Sequence, residues 1–492
     1  MVVLGVKVNK PLELLTEDKL HALDSATMKV LERVGILIKN DFALNLLEKA
    51  GANVNFEKKM AKIPEDLIKE QIKKAPSEFI LYARNPKRDV LIGNKRVHFR
   101  GGGGQIFVID PKNKTRRFAT LKDLEKGTRL LDGLEHIHTL GSPGIGNFVT
   151  PQDVPLEVRD LYSWKILFEN SEKPIGAWIY SSLNAKYVIK MGEAVAGGLE
   201  KLEKRPLVGY VCEATSPLQY SSSAIEILLE MAKHRFPVYF APMPMAGGTS
   251  PITLAGTLVI HNAEVLTGIL IAQLANPGTP CVYGAHAHTL DMRTCQITFG
   301  SCEGAMLNVA LTQLAHFYGL PSCSASGFTD SKLCDAQAGF ETGMTLILPA
   351  LAGCNMNGPI GILGSDQGAS FEQAVIEDEI ASVIYRILKG IKITDETLAL
   401  DTIEKVGIGG HYLAQKHTIN YLKEGEHILP IILDRQSWEL WKERNSTEIV
   451  DRARKRAQEI LDFHLPEPLS EEIKKELEGT LEEAKKVILK NN

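Results

Sequence analysis

Between residues 97 and 362 the chain repeats one unit eight times: a short apolar or β-branched run, a loop rich in glycine, proline and serine, then a segment that reads as a helix. The runs are VHFRGGGGQIFVID (97–110), HIHTLGSPGI (136–145), PIGAWIY (174–180), PLVGYVCEATSP (206–217), PVYFAPMPMAGG (237–248), PCVYGAHAH (280–288), PSCSASGFTD (321–330) and CNMNGPIGI (354–362). PLEVRDLYSWKILFEN and FEQAVIEDEIASVIYRILKG are two of the helical segments that follow them. Parallel strands need crossover helices, and closing eight strands into a barrel removes both open edges. The pattern predicts an α/β fold, a (β/α)8 TIM barrel, over residues 96–391. The first run is also compatible with a hairpin, because its helix, LKDLEKGTRLLDG, begins late.

The flanks have another rhythm. Residues 1–95 read as a helical extension packed on the barrel: LTEDKLHALDSATMKVLERVG has apolar positions three and four apart and ends at Gly35, and IPEDLIKEQIKKAP runs between two prolines. Residues 392–492 read as a charged C-terminal helical extension, ending in the amphipathic LSEEIKKELEGTLEEAKKVILK. That tail is expected to pack on the barrel or on a second subunit of a homo-oligomer.

Charge and composition exclude several classes of partner. The net charge is −4 over 492 residues, with both signs mixed along the chain, which gives no footprint for nucleic acid or an anionic membrane. No window holds about 20 uninterrupted apolar residues, and MVVLGVKVNKPLELLTEDKL lacks the apolar core of a leader. The expectation is a soluble, cytoplasmic protein. Its seven cysteines are odd in number, form no C-x-x-C pair and read as reduced thiols.

In a barrel, chemistry sits where strands end and loops begin. The polar and aromatic residues at those positions are Gln105, Tyr180, Glu213, His286, His288, Phe328, Asp330, and Asn355 or Asn357. His286 and His288, two apart on a strand, would face one side, and with Glu213 they could form a two-histidine, one-carboxylate metal site. The same pair could instead hydrogen-bond inside a wet barrel mouth or hold substrate directly. The run of four glycines at 101–104 suits either a large ligand approaching the backbone or a barrel corner. GSPGIG (141–146) has a faint likeness to a phosphate loop, but Pro143 and the following TPQDVP break the strand–turn–helix context that a dinucleotide site needs. Glu341, Glu372 and Glu377 are most simply solvated helix faces.

SASGFTDSKLCDAQAGFETGMTLILPALAG (324–353), CNMNGPIGILGSDQGASFEQAVIEDEIASVI after it, and TLALDTIEKVGIGGHYLAQKHT near the C-terminus together resemble the corrinoid-dependent trimethylamine methyltransferase family, over nearly the whole chain. The resemblance implies a barrel with extra helices. It also implies transfer of a methyl group from a methylated amine to the Co(I) corrinoid carried by a cognate corrinoid protein docked over the barrel mouth. No tightly bound metal of the chain's own is expected. The family's archetype carries pyrrolysine in the barrel, whereas this chain holds only standard residues, so among its members it is similar to the quaternary-amine type. Glycine betaine, giving dimethylglycine, is the first expectation; carnitine, proline betaine, γ-butyrobetaine and trimethylamine stay open as donors. A metal-dependent lyase or hydrolase built on Glu213, His286 and His288, and a non-catalytic binding protein, stay open as other classes.

A quaternary ammonium favours aromatic faces and diffuse negative charge, each close aromatic contributing roughly 0.5–2 kcal/mol. Tyr180, Tyr210, Phe240, Tyr283 and Phe328 are candidates for that cage, with Glu213 as counter-charge. The carboxylate of a betaine needs donors, for which His286, His288, Gln105, Asn357 and the amides before the helix starting near Ser370 are candidates.

Overall fold

A computed structural model describes residues 2–141 and 145–490. Residues 142–144 of GSPGIG, including Pro143, lie outside the described residues.

All eight expected runs lie in one barrel array, paired strand to strand except around the third run. Parallel pairing runs from Arg96–Gly101 to Ile137–Thr139 on one side. On the other it runs through Met356–Ile360, Ser322–Ser324, Cys281–Ala285 and Val238–Phe240 to Tyr210–Cys212. The third run, 174–180, joins by bridges from Ile175 to Leu140 and Gly141 and is otherwise extended chain. Among the described residues no ladder ties it to Tyr210–Cys212. Helix side chains take up its backbone groups instead: the Trp164 indole donates to the Trp178 carbonyl at 3.1 Å, and the Tyr180 amide donates to Asp160 at 2.9 Å.

Every strand is followed by its helix, from Leu121–Gly133 after the first to Phe371–Leu388 after the eighth. Each starts at the mouth, the end where strands stop, because the helix must run back antiparallel to its strand. Leu254–Ala275 is the one described helix long and apolar enough to cross a membrane, and it is mostly buried between the fifth and sixth strands and the N-terminal helix Glu17–Arg33.

The first run divides in two. Arg96–Gly101 is the barrel strand, and Phe107–Asp110 turns away to pair with Thr115–Phe118. The four glycines form the corner between them. Gly102 and Gly104 have φ of +77° and +76°, and a Cβ on Gly102 would collide with the Gly146 carbonyl, so the backbone that comes close here is the chain's own.

The N-terminal region is not purely helical as expected. Its helices Glu17–Arg33, Asp41–Lys49 and Glu65–Ile72 carry a small sheet, Ile36–Ile38, Asn53–Asn55 and Met60–Lys62, joined to Gln219–Tyr220 from the loop after the fourth strand. The hairpin Glu78–Leu81 with Val90–Gly93 puts Leu81, Val90 and Ile92 in one cluster with the barrel-interior residues Val211, Tyr239, Val282, Cys323 and Met356. The short alternating runs ILI, FIL and VLI are too brief for helices and β-branched enough for strands, a signal masked by the stronger helical periodicity around them.

The C-terminal helices Ile449–Phe463 and Glu471–Ile488 pack on barrel helices, as the amphipathic pattern implies. Arg454 fixes the first, donating to Asp110 and to Glu372 at 2.7 Å each.

Candidate active site

The first strand, RVHFRG, alternates. Val97 and Phe99 face the helix layer and join the main core, while Arg100 lies in the barrel interior, where its guanidinium stands 5.9 Å from the Tyr239 ring. Arg100 is 3% exposed and, among the described residues, has no carboxylate bonded to it and no partner for its Nε; it donates to the carbonyls of Gly358 at 2.8 Å and Ser324 at 3.4 Å. A buried guanidinium without an ion-pair partner leaves positive potential at the barrel mouth.

Two carboxylates stand at the mouth, Asp366 within the field of Arg100 and Glu213 within that of Asp366. The turn between Ile362–Leu363 and Gly368–Ala369 carries Asp366 at φ +65°, and Gln105 from the glycine corner donates to Asp366 Oδ1 at 2.6 Å. Asp366 is exposed at the mouth, and Glu213, beyond the fourth strand, is half-buried. Burial, followed by the Asp366 charge, pushes Glu213 up to about 7, and the surrounding protein raises Asp366 against the opposing pull of Gln105 and Arg100. Neither carboxylate is salt-bridged among the described residues.

The histidines do not share a strand face as expected. The sixth strand ends at Ala285, His286 follows at the mouth, and His288 opens a new strand, His288–Asp291, paired with Met245–Ala246. His286 is half-buried with Nδ1 unpaired, and its amide donates to His261 Nε2 at 3.4 Å. His288 is fully buried, its ring 4.3 Å from Phe299, with both nitrogens unpaired. Burial brings His288 down to about 3; burial and then the His288 charge bring His261 to the same value. Burial, followed by the charges of His288, Arg100 and His261, keeps His286 well below the ordinary imidazole range. All three are neutral. Among the described residues no three His, Cys, Asp or Glu converge to hold a metal, so the two-histidine, one-carboxylate arrangement is not formed.

The remaining sequence candidates have other partners. Phe328 packs on Phe299 at 4.6 Å in a small core with Ala325 and Ile362. Asp330 pins loops, accepting from the amide of Phe299 at 2.9 Å and from Ser365 Oγ at 2.8 Å. Asn357 accepts from Ser324 Oγ and donates to the carbonyls of Cys354 and His98. Tyr180 is half-buried beside Asp160, and burial pushes its hydroxyl up to about 12. Tyr210, Phe240 and Tyr283 face the helix layer: the Tyr210 hydroxyl reaches the Ala224 carbonyl, Tyr283 donates to Asn262, and Phe240 belongs to the main core. Glu377 is not on a solvated face either; it is buried, accepts from the Gly361 amide at 2.6 Å, and burial raises it to about 8. Glu341 and Glu372 are likewise engaged, with Asp330 and Arg454.

Arg100, Asp366, Trp178 and His261 are the mouth residues that strand-end reasoning passes over. Arg100 lies inside a strand, where the V-H-F-R alternation marks it as inward-facing. Asp366 sits in G-S-D-Q-G, which reads as a solvated turn. Trp178 lies alongside the glycine corner, its Nε1 3.0 Å from where a Gly104 Cβ would stand.

A closed barrel carrying carboxylates, a buried guanidinium and neutral imidazoles at the ends of its strands is the architecture of a barrel enzyme. The family model for trimethylamine methyltransferase (MTTB) matches residues 4–488, and the chain belongs to this family of methyltransferases. Trimethylamine methyltransferase MttB of Desulfitobacterium hafniense (strain DSM 10664 / DCB-2) is 37% identical over 468 residues, covering 95% of this chain and 93% of that protein. Glycine betaine methyltransferase of Desulfitobacterium hafniense (strain Y51) is 36% identical over 467 residues, covering 95% and 96%. In fold the chain is similar to the monomethylamine methyltransferase (MtmB) of Methanosarcina barkeri, with a TM-score of 0.52 and 13% identity over 92% of this chain and 90% of that one.

Proposed function

We propose that this methyltransferase takes a methyl group from a quaternary amine, glycine betaine first, and passes it to the Co(I) corrinoid of a cognate corrinoid protein, acting in the cytoplasm as a homo-oligomer. The observation that carries this reading is the pair Glu213 and Asp366 at the mouth, without salt bridges, above the buried charge of Arg100. A zwitterion matches such a field. Its ammonium meets the two carboxylates and the Trp178 and Tyr180 faces, and its carboxylate meets Arg100 Nε, His286 and Gln105.

The chemistry agrees with neutral imidazoles. A quaternary ammonium leaves as a neutral tertiary amine, the C–N electron pair staying on nitrogen, so no proton donor is required. Free trimethylamine would expel a dimethylamide anion, and it expels a neutral amine only while a proton or another fourth substituent stays on its nitrogen, which His286, held neutral, does not supply. The corrinoid supplies the methyl acceptor. The chain's residues bind, orient and desolvate the donor, and holding reactants in line contributes on the order of several kcal/mol.

The test is methyl transfer to free cob(I)alamin or to the cognate corrinoid protein, followed by the cobalt spectrum, with glycine betaine, carnitine, proline betaine and trimethylamine. Turnover with betaine and none with trimethylamine is expected. Turnover with trimethylamine alone, or with no amine, overturns the reading.

A further inference from the structure

From 391 to 431 the described chain contains no buried residue. It is nevertheless folded into three short helices, Asp395–Leu398, Leu400–Val406 and Lys416–Lys423. Isolated helices below about 12–15 residues are marginal in water, and these have 4, 7 and 8 residues. Something must cover them. Thirteen large apolar residues stand exposed between 391 and 433, including Ile391, Leu400, Ile408, Leu413 and Leu429, with Leu413 82% exposed.

The arm is rooted far from the mouth. Phe371–Leu388 starts at the mouth, where the Ser370 amide meets the Gly361 carbonyl, and ends where the Tyr385 hydroxyl reaches the Val97 carbonyl at the start of the first strand. Arg386 clamps the arm there, donating to the Glu426 carbonyl at 2.7 Å and its carboxylate at 2.9 Å. A groove of about 590 Å³, lined by His136, Lys389, Lys423 and Leu429 among others, separates arm and barrel.

We infer that this arm is the centre of a contact between two copies of the chain. Exposed Leu, Ile and Tyr side chains of this number offer on the order of 1,000 Å² of apolar surface, at about 100 Å² each. That exceeds the roughly 800 Å² per partner of a standard interface, and its composition is that of a permanent homodimer contact. On the function proposed above, the corrinoid protein docks at the mouth and leaves after each turnover, so it could not cover an arm at the opposite end, nor keep it folded between visits. Charges do not oppose the pairing: Lys392, Lys405, Lys416 and Lys423 are interleaved with Asp395, Glu396, Asp401, Glu404, Glu424 and Glu426. A two-fold axis would lay like on like, arm against arm.

Sedimentation equilibrium of the full chain tests this. The wild type is expected at twice 54.2 kDa or a higher multiple, and the double variant Ile408→Asp, Leu413→Asp at 54.2 kDa, its dissociation constant raised about a hundredfold or more. Should the variant not fold, hydrogen exchange of the wild type decides: protection of 391–431 should fall on dilution while that of the barrel strands holds. A wild type that is monomeric at micromolar concentration, a folded variant that keeps its mass, or arm exchange independent of concentration overturns the inference.

Discussion

Glu213 and Asp366 show how little of a site is chemistry by residue type and how much is surroundings. In water each would be ionised at neutral pH; at the barrel mouth burial and the Asp366 charge hold Glu213 up to about 7, and Asp366 is raised as well. The ionised forms attract the donor cation. kcat/KM for a quaternary amine is therefore expected to rise as pH goes from 6 to 8, by about tenfold, and to level off above. A profile flat across that window removes both carboxylates from binding. Glu213→Gln should lower kcat/KM by about ten- to a hundredfold, the range for a hydrogen bond or contact to a charged group, with its pH dependence reduced to that of Asp366.

Stability runs the other way. A carboxylate raised in the fold binds a proton that the unfolded chain has released, so its stabilisation is full below about 4.5 and lost as pH rises through 7. Glu213→Gln is accordingly expected to melt above the wild type at pH 8 and level with it at pH 4, by differential scanning calorimetry without substrate.

At the scale of elements, two joints hold the barrel's irregular places. The glycine corner after the first strand works only because Gly102 has no Cβ. Gly102→Ala must accept a left-handed φ, which costs about 1–2 kcal/mol, in addition to its clash with Gly146. Lowered thermal stability with a reduced kcat/KM, since Gln105 moves with the corner, is the expected pair of outcomes. The second joint is Asp132, buried at the end of Leu121–Gly133. It accepts from Ser171 Oγ at 2.8 Å, the Glu172 amide at 2.9 Å and His464 Nε2 at 2.8 Å, beside the buried ammonium of Lys173. Those hydrogen bonds, with the Lys173 charge, hold it far below the usual carboxylate range despite burial. Asp132→Ala leaves the Ser171, Glu172 and His464 donors without their acceptor and should cost on the order of 3 kcal/mol or more, read by urea unfolding. None of this was legible from sequence, where Asp132 is one acid in an amphipathic helix.

The whole molecule is a barrel that needs its tail. Ala453, Ala457 and Ile460 on one C-terminal helix, and Leu477, Leu481 and Ala484 on the other, are buried against barrel helices. A chain truncated after Ser446 is expected to bind apolar dyes and aggregate, which size exclusion with light scattering would show; a monodisperse, cooperatively folding truncation would show that the barrel stands alone.

Sequence by itself determined the barrel, because eight runs of strand length alternating with helices leave few closed arrangements. It also determined the amphipathic packing of the tail and the family. It placed Glu213, Gln105 and His286 near the mouth, because strand ends converge there in any such barrel. Only tertiary structure decided which candidates face the mouth. A one-residue change of phase sends Tyr210, Phe240 and Tyr283 outward, and a strand break after Ala285 parts His288 from His286. Arg100 and Asp366 come within each other's field only when the last loop folds back over the first strand, across more than 250 residues of chain. Local pattern reports which side of its own element a residue takes. Proximity between distant elements, and the loss of water that shifts a carboxylate to 7, exist only once the barrel has closed.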